Sequence, residues 1–516
     1  MENFEFSSVS QLLTKNLERF PRKTYIFFNK ERISYRKTCE EAVRVANALA
    51  ANGAKQGDRA AILISNSPEF LYAYFGAALL GVITVPINTF LSGREVAVNL
   101  NDCEARFFIT TEEFEKAVYI VKSEVRSLEH IFTFKDVEFT SINISHYSTV
   151  KDYTEPVITL DDLASLVYTS GTTGASKGVM LTHRNLIANA YGFKYKLNTT
   201  PEHRILTILP LFHAYTFMTC ILGPLEGGCS IILLANVNDA KKKSFKRQLL
   251  FLRPTILLGV PQLFAAFARM ETNFITKLLF PFRYCVSGGA PLAQEICNKF
   301  YSNFGIPLLE GYGLTEASPV VSFNPRYRSK AGTAGTPFLY VEVKVVDEND
   351  NTLPINTKGE LCIRGETVMK GYWNKPEETA QALKNGWLHT ADAAFIDEEG
   401  YIVIVDRIKD MIISKGMNVY PREIEDILYK YPGIQLAAVI GIKVKNDETA
   451  AAYITVDETY NEGGVKEYLK ENLAAYKLPK QIIITDEIPL TSSGKIAKQT
   501  LKELVNKGKI TGRLNL

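Results

Sequence analysis

The sequence predicts an α/β architecture with largely parallel sheets, then a small antiparallel or barrel-like region, then a compact C-terminal unit. Three observations predict it. Short apolar runs of strand length alternate with longer helical patterns through most of the chain. From about residue 332 the texture changes to two short alternating segments around a polar turn, "VEVKVVDENDNTLPINTKGELCIRG". At "VDRIKDMIISKG" (405–416) a boundary sets off roughly a hundred further residues, the size of one domain. A chain of 516 residues is in any case too long for a single core.

Taken in order, "YRKTCEEAVRVANALAANG" (35–53) has helical spacing and a stop signal at Gly53. The runs "AAILIS" (60–65), "VITVPI" (82–87), "RFFIT" (106–110) and "SLVYTS" (165–170) read as buried strands. Two uncharged stretches, 70–87 and 206–225, are long enough to span a bilayer. Glycine and proline interrupt both, so each reads as a buried helix joined to a buried strand, and no transmembrane segment is expected. The C-terminal unit predicts a helix over 421–433, strands at 436–442 and 450–456, a helix around 464–475 and a strand at 481–486.

Composition excludes several classes. A formal charge of +3 is nearly neutral at this size, so no nucleic acid or acidic partner is expected. Seven scattered cysteines without a C-x-x-C pair predict reduced thiols, a cytoplasmic location and no structural zinc. The start, "MENFEFSSVSQLL", lacks a basic n-region and an apolar h-region, so no signal peptide is expected. Peripheral membrane contact and oligomeric state are left open.

The stretch "LVYTSGTTGASKGVMLTH" (166–183) follows a strand and precedes an apolar helical stretch starting near Asn185. Its glycines and hydroxyls would turn backbone N–H groups toward an anion. The spacing is not that of G-x-x-x-x-G-K-[ST], because Ala175-Ser176 separates Gly174 from Lys177. In "VSGGAPL" (286–292), Gly288 and Gly289 leave bare backbone for a flat ring. "LLEGYGLTEASPV" (308–320) offers the aromatic face of Tyr312 for a base, and Thr315 and Glu316 for a magnesium ion that bridges phosphates. "GWLHTAD" (386–392) ends in Asp392, a candidate acceptor for ribose hydroxyls, and Arg407 follows shortly.

The order "YTSGTTGASKGVMLTH … LPLFHAY … VSGGAPL … EGYGLTEASPV … GYWN … HTAD … DRIKDMIISKG … PLTSSGKIAK" resembles the adenylate-forming superfamily over about residues 30–500. That superfamily comprises acyl- and aryl-CoA synthetases, non-ribosomal peptide adenylation domains and luciferases. The resemblance implies a large N-terminal domain (1–405) of two α/β sheet subdomains plus a small β-barrel-like subdomain. A hinge (406–410) then leads to a small mobile α+β C-terminal domain (411–516). It implies ATP, Mg²⁺ and coenzyme A as partners in two half-reactions. A carboxylate attacks the α-phosphate of ATP to give an acyl-adenylate and pyrophosphate, and a thiol then displaces AMP.

The resemblance also implies roles. Lys495 would bridge carboxylate and α-phosphate, and Thr169 and Glu316 would hold Mg²⁺. Thr172, Thr173, Lys177 and Thr315 would touch phosphates, in a loop completed by Ser170, Gly171 and Gly174. Gly288, Gly289, Ala290, Glu310, Gly311, Tyr312 and Gly313 would frame the nucleotide, with Asp392 and Arg407 at the ribose. Lys409 matches the hinge, and Gly416 would lie beside the pantetheine tunnel.

Amino-acid-activating members usually carry an "FD" pair; here the pair is Phe212-His213, which argues against an α-amino acid. His213 resembles the histidine at the acyl and aryl pocket of CoA ligases, and Phe217 the aromatic gate of long-chain members. Gly288 and Gly313 would line the same pocket. The segment "GYWNKPEETAQALKNGWLHTAD" shows no insertion of the kind adenylate-only ligases carry, which favours CoA as acceptor. Two departures stand out. The usual T-G-D-x-G reads Thr390-Ala391-Asp392-Ala393-Ala394, with the expectation that the added methyl groups crowd the ribose corner. The usual D-x-x-x-G-E segment after "VIG" is shortened to "IKVKNDETAAAYITV". The expected activity is an ATP-dependent fatty-acid–CoA ligase acting on a medium or long acyl chain. The alternatives are acyl loading of a carrier protein, an aryl-CoA ligase, and a non-catalytic acyl- or nucleotide-binding relative.

Overall fold

The computed structural model of the chain describes residues 4–169, 176–236, 249, 251–270, 272, 280–414, 417–444, 447–491, 496–510 and 513–515. Two large sheets organise the N-terminal domain. One runs in the order 336–337, 320–323, 308–313, 284–287, 256–259, 204–207, 230–233, 24–28, 31–34. The other runs 371–372, 177–182, 163–169, 83–86, 59–63, 107–110, 130–133, 142–143. The interior strands of both are parallel, as the alternating sequence pattern predicts; antiparallel strands finish both edges of the first sheet and one edge of the second, whose other edge, 142–143, is parallel.

Local chemistry sets the helices that join them. The Ser34 hydroxyl accepts from Lys37 N–H and starts the helix Tyr35–Ala51, which Gly53 ends at φ +79°. The apolar stretch 70–87 divides into the helix Pro68–Leu79 and the strand Ile83–Pro86. Thr182 and Asn185 cap each other reciprocally to open the helix His183–Leu197, and Asn198 closes it in the left-handed conformation. One apolar core spans both sheets, joining Ile26 and Ile231 of the first to Ile62 and Phe107 of the second through Val45, Phe70 and Phe193.

The change of texture near residue 332 corresponds to a five-stranded antiparallel sheet: 341–346, 359–365, 387–396, 383–384 and 402–407. A short turn, Ile408–Asp410, leads into the C-terminal domain. There a four-stranded sheet (434–444, 447–456, 481–484, 513–515) packs with the helices Pro421–Leu428, Val465–Asn472 and Lys498–Asn506. The shortened segment after "VIG" pairs residue for residue from Leu436↔Thr455 to Val444↔Asp447, so the two strands form one long hairpin. Among the described residues no helix is long and apolar enough to cross a membrane.

Candidate active site

The glycine- and hydroxyl-rich stretch joins two antiparallel strands, Leu163–Thr169 and Lys177–Thr182, with Thr169 directly opposite Lys177. The sequence predicts a strand, a loop and then a helix. The structure inserts a full strand before the helix, because Lys177–Thr182 completes the sheet edge beside 163–169. Ser170, Gly171, Thr172, Thr173 and Gly174 lie outside the described residues, as do Lys495 and Gly416. What the structure describes at this point is the loop's two posts. Lys177 Nζ stands 5.1 Å over the ring of Tyr372, and the Tyr372 hydroxyl donates to Glu316 Oε1 at 2.8 Å. The chain Lys177–Tyr372–Glu316 therefore fixes the loop's exit against the carboxylate predicted to hold magnesium. Tyr372, in "GYWN", is a site residue that sequence reasoning quoted but gave no role.

Glu316 sits in the tight turn Thr315–Ala317, whose position is held by Met369 N–H donating to the Glu316 carbonyl at 2.9 Å. Just before the turn runs the strand Leu308–Gly313. This strand has no room for side chains at its glycines. A Cβ on Gly311 would meet the Phe323 ring at 2.1 Å, and one on Gly313 would meet the Pro319 carbonyl oxygen at 2.0 Å. Between them, the Tyr312 hydroxyl donates to Asp392 Oδ2 at 2.5 Å, and Arg407 Nε lies 2.7 Å from Asp392 Oδ1. Asp392 and Arg407 are direct partners across adjacent antiparallel strands. Burial pushes the Asp392 carboxyl above its ordinary pKa, against the pull of Arg407, and drives the Tyr312 phenol well above its own. The structure thus joins Tyr312 to two residues that stand far from it in sequence.

Glu310 turns elsewhere. Its Oε1 accepts from Leu292 N–H at 3.3 Å and lies 3.5 Å from Arg422 of the C-terminal domain. It holds the "VSGGAPL" turn. In that turn Gly288 donates to the Gly259 carbonyl at 3.0 Å, Gly289 adopts φ +82°, and Ala290 follows. A Cβ on Gly288 would press on the Tyr215 ring at 2.8–2.9 Å. Arg422, which sequence reasoning missed, also donates to the Ile404 carbonyl at 2.7 Å. Its backbone N–H reaches Asp406 Oδ2 at 2.8 Å, so it joins the two domains next to the turn Ile408–Asp410. Lys409 is exposed in the turn Ile408–Asp410.

His213 precedes the helical segment 214–226, whose middle, Met218–Leu222, widens into a π-helical turn, a form common at functional sites. Phe217 is buried against Tyr74 and Phe70, with ring centroids 4.2 and 6.0 Å away. It lines an apolar cavity with Tyr74, Val167, Phe212, Met218 and Pro319, whose free volume of about 20 Å³ has room for about one water-sized group. Ser318 and Pro319 of its wall directly follow the Glu316 turn, so the cavity's wall and the carboxylate share one segment.

The strand ends at Thr169 and Lys177, the Glu316 carboxylate held by Tyr372, the Tyr312–Asp392–Arg407 cluster and the adjoining apolar cavity fit the adenylate-forming family that the sequence resembles. Comparison with known proteins agrees. The sequence matches the AMP-binding enzyme family over residues 13–373 and the AMP-binding enzyme C-terminal domain over 423–495. The chain belongs to this family. It is 34% identical to a feruloyl-CoA synthase of Amycolatopsis sp over 485 residues, covering 93% of this chain and 95% of that one. It is 33% identical to a long-chain-fatty-acid–CoA ligase of Escherichia coli O6:H1 over 541 residues, covering 96% and 94%. Its structure superposes on the anthranilate CoA ligase AuaEII in complex with anthranoyl-AMP with a TM-score of 0.90, at 27% identity, covering 98% and 99% of the two chains. The activity is that of an acyl- or aryl-CoA ligase working through an adenylate.

Proposed function

We propose that this chain activates an apolar carboxylic acid, a medium- or long-chain fatty acid, with ATP and transfers the acyl group to coenzyme A. The observation that carries this reading is the cavity at Phe217, whose wall runs straight into the Glu316 turn. The cavity is nearly filled as it stands, so an apolar tail enters by shifting its aromatic wall, with its carboxylate toward the Glu316 turn. A carboxylate becomes an acyl electrophile only when its oxygen joins a good leaving group. Catalysis is then mainly positioning and charge neutralisation on the phosphates. Lys495 supplies a positive charge to the carboxylate and α-phosphate, and Asp392 accepts from the ribose hydroxyls.

Glu316 and Thr169 offer the hard oxygens that suit magnesium, and the Tyr372 hydroxyl fixes the Glu316 carboxylate for it. Magnesium held there would offset phosphate charge. Movement of the C-terminal domain about 406–410, with Lys409 in the turn, would separate the two half-reactions.

A second reading, an aryl acid carrying a polar substituent, is favoured by hydroxyls in the cavity wall. The Tyr74 hydroxyl lies beside those of Thr84 and Ser165. The buried Ser318 hydroxyl has no partner among the described residues. A relative named feruloyl-CoA synthase supports the same reading.

Pyrophosphate release and thioester formation with a panel of fatty and hydroxycinnamic acids, with and without CoA, test both readings. Release with fatty acids alone supports the first, and release with aryl acids alone the second. Release with neither class would overturn the assignment. Lys495→Ala should abolish adenylation and spare transfer from a supplied acyl-adenylate; surviving adenylation would remove Lys495 from this role.

A further inference from the structure

Ala391, where the related motif has glycine, adopts φ +55°, a left-handed conformation that a Cβ disfavours. The strain at this position therefore lies in the backbone turn. The turn is a bulge. Glu360 pairs with Ala393 and Cys362 with His389, so Thr390, Ala391 and Asp392 together stand opposite Leu361. Inside it, the Thr390 hydroxyl donates to the Leu361 carbonyl at 2.8 Å, and Asp392 N–H reaches Thr390 Oγ1 at 3.1 Å.

One carboxylate ties the bulge together. Glu360 Oε1 accepts from Ala391 N–H at 2.9 Å, and Glu360 Oε2 lies 2.8 Å from His389 Nδ1. The far nitrogen of the imidazole, Nε2, faces Asp350 Oδ1 at 3.7 Å, and Asn385 donates to Asp350 Oδ2 at 2.6 Å. The Cys362 thiol is 3.5 Å from His389 Nδ1, and burial pushes it up to about 12, so it packs there as a neutral thiol. Lys344 Nζ already stands 3.6 Å from Asp350. With that cation beside Asp350, the cluster braces the bulge through Glu360, His389 and Asp350.

We propose that Glu360 is a positioning residue. Its carboxylate holds the Thr390–Asp392 bulge in the left-handed turn that aims Asp392 at Tyr312, and so sets the affinity for the ribose of ATP. This rests on the reading of Asp392 as the ribose acceptor. The consequence is specific to this chain, because glycine would enter the same turn without help, whereas Ala391 depends on the clamp.

The test uses steady-state kinetics of the full chain. Glu360→Gln keeps one accepting oxygen and sets an amide N–H₂ against the other donor. Its KM for ATP should rise about tenfold, the loss expected for one charge-assisted hydrogen bond, with kcat at saturating ATP within about twofold and the KM for the acid unchanged. Adding Ala391→Gly to Glu360→Gln should recover at least about threefold of that KM, since glycine needs no clamp to hold φ positive. An unchanged KM for ATP in Glu360→Gln, alongside a raised one in Asp392→Asn, would overturn the role of Glu360. An unchanged KM in Asp392→Asn would instead overturn the ribose reading beneath it. Equal losses in every kinetic constant with no recovery by Ala391→Gly would reduce Glu360 to general structural support and overturn the proposal. If Glu360→Gln does not fold, His389→Gln removes one arm of the clamp and should raise only the KM for ATP, by about threefold; no change there would count equally against it.

Discussion

Glu310→Gln should make the protein more stable at neutral and alkaline pH and leave it unchanged in acid. The Glu310 carboxyl is buried, its Oε2 has no partner among the described residues, and only Leu292 N–H and the more distant Arg422 face Oε1. Burial raises its pKa from 4.5 to about 7, even with Arg422 pulling the other way. The folded state therefore holds this proton more tightly than the unfolded chain does. The resulting stabilisation is complete below pH 4.5 and is lost as pH rises through about 7. A shift of that size corresponds to about 3 kcal/mol once the carboxyl is ionised. Glutamine has the shape of the protonated acid and cannot ionise. Urea unfolding from pH 4.5 to 8, followed by the fluorescence of Trp373 and Trp387 in the N-terminal domain, measures the difference. The two proteins should coincide at the acid end and part by about 3 kcal/mol at pH 8. A difference that stays constant across the range would refute the reasoning, because it would locate the effect in packing and not in the proton.

Two further outcomes follow from the site geometry. Tyr372→Phe removes the hydroxyl that holds Glu316 while keeping the ring under Lys177, so the magnesium concentration for half-maximal activity should rise about tenfold or more; titration of activity with magnesium reads it. Gly288→Ala puts a Cβ 2.8–2.9 Å from the Tyr215 ring, which must shift, so the KM values for both the acid and ATP should rise, and the strain should cost about 1–3 kcal/mol in unfolding.

Much of the architecture is legible in the sequence, because it rests on signals within a few residues of one another. The apolar runs at 60–65 and 106–110 are strands within a residue or two, and the helix over 35–53 begins at a serine cap and stops at Gly53. The motif order "GYGLTE … HTAD … DRIKD" is likewise written in the chain and pointed to the family before any fold was known. Side-chain partnerships across strands are not written there. Nothing in "YTSGTTGASKG" announces that Thr169 pairs with Lys177, since the pairing depends on where the neighbouring strand lies. The turning of Glu310 toward Leu292 and Arg422, and the placing of Tyr372 against Glu316, depend on segments that meet only in the folded chain.

The replacement of glycine by Ala391 shows the division most clearly. The sequence by itself determined that a departure exists in the motif that carries Asp392. Only the tertiary structure decided what it means, because a left-handed φ and a carboxylate on the adjoining strand are consequences of sheet register, and register is a property of two strands and never of one.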